Sequence, residues 1–140
     1  MREITCSTIT DAIKKMCIEA ATILPQDVEK ALSQKHDEED SLLAKKTLQV
    51  LIDNANLARE KQMPICQDTG MAFVYVTMGQ EVHITGGSLK EAIQEGIRQG
   101  YIEGYLRKSV VSDPIERVNT NDNTPAIIHF GIIPGENIEI

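Results

Sequence analysis

Gly96, Gly100 and Gly104 recur every fourth residue in a stretch that otherwise reads as one helix from about Leu89 to Arg107. Each glycine inside a helix costs about 1 kcal/mol against alanine, and the spacing places all three on one face. A stripe of that cost is explained by a second backbone packed closer than side chains would allow, the alternative being a merely loose helix. Close packing requires a layered arrangement or an interface. Gly86-Gly87-Ser88 precedes the stretch, with Ser88 positioned as its cap.

The segments before that helix are themselves helical. Ser7 or Thr8 can cap a helix through about Thr22, with Ile9, Ala12, Ile13, Met16, Cys17 and Ala20 on one apolar face. Pro25 fits the first turn of a second helix reaching about His36, and the acidic run from Asp37 to Asp40 reads as a solvated connection. Ser41 then opens the longest helix, to about Lys61, with Ala44, Leu48, Leu51, Ile52, Ala55 and Ala58 along one side.

Beyond Gly70 the pattern becomes β-branched and aromatic. Residues Ala72 to Met78 and Glu81 to Thr85, joined through Gly79-Gln80, predict a hairpin with His83 facing outward. Residues Ala126 to Ile133 predict a strand apolar on both faces, with His129 an interior residue. After the turn at Pro134 to Asn137, Ile138-Glu139-Ile140 begins another strand with nothing following to cover its edge, as expected of a truncated domain. The fold class is α+β: N-terminal helices followed by a mixed or antiparallel sheet packed with the glycine-striped helix.

With 140 residues and 41% hydrophobic content, one domain is expected. A net charge of -7 argues against a nucleic-acid groove or an anionic membrane surface, which need clustered Lys and Arg. No apolar run is long enough to span a bilayer, and Met1-Arg2-Glu3 does not begin a signal peptide, so a cytoplasmic protein is expected. Three cysteines without CxxC spacing match neither a secreted disulfide framework nor a self-contained zinc site.

The pentapeptide Cys66-Gln67-Asp68-Thr69-Gly70 sets a thiol, an amide and a carboxylate side by side ahead of a strand. Pro64 disfavours helix just before it and Gly70 can supply a tight turn, so Cys66 sits on a shaped loop suited to metal-assisted chemistry. A lone cysteine is also commonly a small buried hydrophobe, and Cys6 and Cys17 are read that way. Asn119-Thr120-Asn121-Asp122-Asn123-Thr124-Pro125 is a polar, turn-forming tract.

Pro64 to Met71, Tyr105 to Val111 and Asn119 to Ala126, in this order, together resemble class I fumarate hydratases. The likeness is closest to the N-terminal part of the alpha subunit of the two-subunit, iron-sulfur-dependent form, and covers essentially residues 1–140. It implies a hydro-lyase in which three cysteines hold a 4Fe-4S cluster and one iron stays open to substrate. Cys66 matches the first cluster ligand. Cys6 and Cys17 lie upstream of it and match neither remaining ligand, which are expected beyond Ile140. Gln67 and Asp68 are implied beside the substrate, Gln67 as a hydrogen-bond donor and Asp68 in acid/base work or the orientation of a proton-transfer group. Arg107 matches an arginine that grips a substrate carboxylate; the helix dipole is its other explanation. A beta subunit is the implied partner, supplying the base and further cations for a small dicarboxylate, within a higher oligomer. L-tartrate dehydratase shares the loop, although Met71-Ala72-Phe73 and Leu106-Arg107-Lys108-Ser109 look more like the fumarase pattern. A non-catalytic interaction module is the reading from another class.

Overall fold

In the computed structural model, which describes residues 1–140, strand β1 (Arg2–Thr5) runs directly into helix α1 (Cys6–Thr22). Thr5 has extended backbone and its hydroxyl accepts the Thr8 N–H at 3.3 Å, so the cap falls on Thr5 rather than on Ser7 or Thr8. Helices α2 (Gln26–Glu38) and α3 (Leu42–Lys61) follow as an antiparallel pair, α3 capped by the Ser41 hydroxyl. Arg59 clamps this pair by donating from Nη2 to both Glu29 carboxylate oxygens at 2.9 Å. Only Ala55 and Ala58 of the two helices are buried.

The remaining elements are β2 (Phe73–Gly79), β3 (Val82–Thr85), α4 (Leu89–Glu103), β4 (Ile127–Ile133) and β5 (Ile138–Glu139). They complete an α+β fold with two small sheets, a parallel β1-β3 pair and a mixed sheet ordered β4-β2-β5. The predicted hairpin does not form. Both edges of β2 are occupied, by β4 in parallel and β5 antiparallel, and β3 turns away to pair with β1. Gly79 lacks the positive φ that a tight hairpin turn would use. Its role is steric: a Cβ there would collide with the Gly135 carbonyl, and the following Gln80 and Glu81 amides donate to Ile133 O and Gly135 O at 2.9 and 3.0 Å.

The glycine stripe of α4 receives α1. A Cβ on Gly96 would lie 2.6 Å from Ile13 Cβ and 2.7 Å from the Thr10 carbonyl, and one on Gly100 would lie 2.7 Å from Cys17 Cβ. Thr10 Oγ1 adds a hydrogen bond to Ala92 O at 3.0 Å. Around this crossing the core gathers Ile9 and Ile13 of α1, Ile93, Ile97 and Tyr101 of α4, Val74 and Val76 of β2, and Leu106.

Helix α4 ends at Glu103, four residues short of Arg107. The Leu106 N–H bonds to Tyr101 O at 3.1 Å and the Tyr105 N–H to Ile102 O at 3.3 Å, a Schellman closure with Tyr105 at φ 53°. His129 is a second correction: it is exposed rather than interior, and its ring stacks on Tyr75 with centroids 4.9 Å apart. Strand β4 lies at the sheet edge with only β2 beside it, so apolar character on both its faces does not make it internal. His83 is exposed, as predicted. No helix is long and apolar enough to cross a membrane.

Candidate active site

The Cys66 loop is strapped down before its chemistry begins. Asn54 Nδ2 on α3 donates to Ile65 O at 2.8 Å, and the Ile65 N–H donates to Ala21 O at the end of α1 at 2.9 Å. Gly70 then reverses the chain at φ 61°, where its N–H reaches Asp68 Oδ1 at 3.2 Å. Within the turn Cys66 Sγ donates to Asp68 O at 3.0 Å, and the thiol remains exposed. Thr69 ties the loop to the segment after α4: its hydroxyl donates to Arg107 O at 2.8 Å, while Tyr101 O–H donates to Thr69 O at 3.2 Å.

Asn123 joins all three motif segments. Its Oδ1 accepts the Ser109 and Val110 N–H groups at 2.6 and 3.1 Å, and its Nδ2 donates to Gly70 O at 3.1 Å. The side chain is wholly buried and the residue sits at φ 61°, a conformation asparagine tolerates better than most. The neighbouring Asp122 accepts from Arg98 Nε at 3.0 Å and from Thr124 N–H and Oγ1 at 2.9 and 2.8 Å. Partial burial raises its carboxyl, but those hydrogen bonds outweigh it and hold its pKa below the ordinary 3.8.

These ties shape a cleft of about 520 Å³ that includes Cys66, Gln67, Thr69, Tyr105 and Arg107 along its walls. Three of the four predicted site residues are therefore brought together across 41 positions of sequence. Asp68 is not among the cleft's lining; it faces an adjacent apolar groove of about 600 Å³ that shares Cys66 and Thr69 and runs along Met16, Cys17 and Met71. Arg107 is exposed and enters none of the chain's ion pairs, so its guanidinium is free for an anion. Because α4 stops at Glu103, Arg107 belongs to the cleft wall rather than to the helix terminus. Sequence reasoning did not single out Asn123, Thr69 or the two tyrosines, although all lie within or beside the quoted motifs.

The donor set does not by itself fit a cluster held by three cysteines. No three His, Cys, Asp or Glu side chains come together. Cys6 and Cys17 are half-buried on α1, and burial pushes the Cys17 thiol up to about 11, away from the thiolate a metal requires. Cys66 alone, exposed on a fixed loop, suits a single ligand position.

A thiol, an amide and an unpaired guanidinium line one cleft, a donor set whose chemistry suits a small anion. The profile of the fumarate hydratase (Fumerase) family matches residues 10–140, and the chain belongs to that family. Among its relatives, a Methanocaldococcus jannaschii protein provisionally named L(+)-tartrate dehydratase subunit alpha is 36% identical over 116 residues, 82% of this chain and 40% of the relative. L(+)-tartrate dehydratase subunit alpha of Escherichia coli strain UTI89 is 29% identical over 139 residues, 94% of this chain and 44% of its own. For the protein of that name in strain K12 the figures are 29% over 119 residues, 83% and 38%. The chain thus spans less than half the length of these relatives.

Proposed function

We propose that residues 1–140 form the N-terminal part of the alpha subunit of an iron-sulfur hydro-lyase, and that the complete enzyme reversibly hydrates fumarate to L-malate. The observation that carries this reading is the meeting of Cys66, Gln67 and Arg107 in one cleft, held by Thr69 and Asn123. Arg107 grips one substrate carboxylate through its planar fork, and Gln67 donates to a substrate oxygen. Asp68, one carboxylate oxygen fixed by the Gly70 N–H, orients a proton-transfer group or shares in acid/base work at the loop. Cys66 offers one thiolate to a 4Fe-4S cluster whose other ligands come from the remainder of the alpha polypeptide. When bound, such a cluster supplies Lewis acidity at an open iron. A beta subunit contributes the base and further cations, which accommodates a dianionic substrate beside a chain of net charge -7.

The second reading is L-tartrate dehydration, favoured by the names of the relatives. The two separate by anaerobic turnover of L-malate and L-tartrate by the complete alpha-beta enzyme. Preferred malate turnover is expected; preferred tartrate turnover would move the assignment to the second reading, and turnover of neither would favour a non-catalytic module.

A further inference from the structure

Tyr105 occupies a position where the backbone disfavours it and packing does not compensate. Its φ of 53° lies in the left-handed region at the closure of α4, where glycine is the usual residue and a bulky side chain is an outlier. Glycine is present one position earlier, but Gly104 is committed to close packing: a Cβ there would lie 2.9 Å from Ile18 Cγ1 of α1 and 2.8 Å from the Gly100 carbonyl of its own helix. Gln62, the other left-handed residue ending a helix, bonds its side-chain amide to Arg59 O. Tyr105 has no such return, since it is 89% exposed. It nevertheless lines the cleft with Cys66, Gln67 and Arg107. Backbone strain held at a binding site without a packing reward points to a role in the site.

We infer that Tyr105 is a further substrate-binding residue, its phenol donating to an oxygen of the small dicarboxylate held by Arg107 and its ring walling the cleft. This rests on the hydro-lyase reading. The strain is then the cost of presenting a rigid aromatic donor two residues from the guanidinium, which a glycine could not supply.

The test compares Tyr105→Phe, Tyr105→Gly and Arg107→Met in the complete enzyme, by steady-state kinetics and by thermal unfolding. A lost hydrogen bond to a charged oxygen raises KM for the dicarboxylate about tenfold in Tyr105→Phe, with kcat within about twofold. Tyr105→Gly weakens KM at least as much while Tm rises by about 2–4 °C, because the strain is relieved. A tyrosine serving only structure would give the opposite pair, a lower Tm with KM unchanged, and that result would overturn the inference. An unchanged KM in both Tyr105 variants with a raised KM in Arg107→Met would overturn it alone, whereas no effect from Arg107→Met would overturn the site reading as well.

Discussion

Asn123 shows how one side chain can hold a site together. Its amide satisfies two backbone N–H groups, that of Val110 buried, and one carbonyl from segments 13 to 53 residues away in sequence. In Asn123→Ala these groups lose their partner, and buried polar groups left unpaired cost about 1–3 kcal/mol each. A stability loss of about 3 kcal/mol by urea unfolding is expected; a loss below about 0.5 kcal/mol would show that water replaces the amide. Asn119 and Asn121 share the same polar tract, and nothing in their composition marks which asparagine turns inward. That choice is made by tertiary distance, so it was not legible, whereas the Cys66 loop was, because Pro64 and Gly70 shape it locally. Asp122 carries the pH dependence of the same tract. Its folded pKa is depressed, so its contribution is present above the ordinary 3.8 and is lost as pH falls through that value toward the folded one. Asp122→Asn is expected to flatten the fall in stability as pH drops below the ordinary 3.8; an unchanged acid limb would remove Asp122 from the account of acid unfolding.

Among the elements, α4 was the most legible, because its glycines carry a conformational cost that only close packing explains. The expected sign is unusual. Alanine in a helix interior ordinarily gains about 1 kcal/mol over glycine, but Gly96→Ala places a methyl group 2.7 Å from the Thr10 carbonyl and is expected to lose about 1–3 kcal/mol. A gain in Tm would mean that α1 yields easily and that the crossing is loose. The β2-β3 hairpin failed for a related reason. A Gly-Gln link between two β-rich runs signals a hairpin only while the strand edges are free, and non-local pairing of β2 with β4 and β5 took those edges. The same edge position exposed His129, since an apolar sequence records the need for cover without saying where in the sheet the strand lies.

Over the whole molecule, the accessible surface is 9224 Å², whereas a monomer of this mass is expected to expose about 7,200 Å². The excess, about 2,000 Å², is of the size buried in obligate contacts. Exposed large apolar residues of the mixed sheet and α3 include Tyr75, Phe130, Ile132, Leu43 and Val50. The seven residues of β4 pair with β2 on one side only and carry no formal charge, which leaves their outer edge open to another strand. The isolated chain is therefore expected to associate as concentration rises, and Ile132→Lys to reduce that association in sedimentation velocity. Equal association by the variant would place the contact elsewhere, with α3 the next surface to test.

The Cys66 cleft is proposed to serve a dicarboxylate hydro-lyase. The most direct test is anaerobic formation of fumarate from L-malate by the complete alpha-beta enzyme, followed beside Cys66→Ala with the secondary structure of both checked by circular dichroism. Turnover by the parent and none by a folded Cys66→Ala variant is the expected result. Equal turnover by the two would contradict the assignment of Cys66 and, with it, the site.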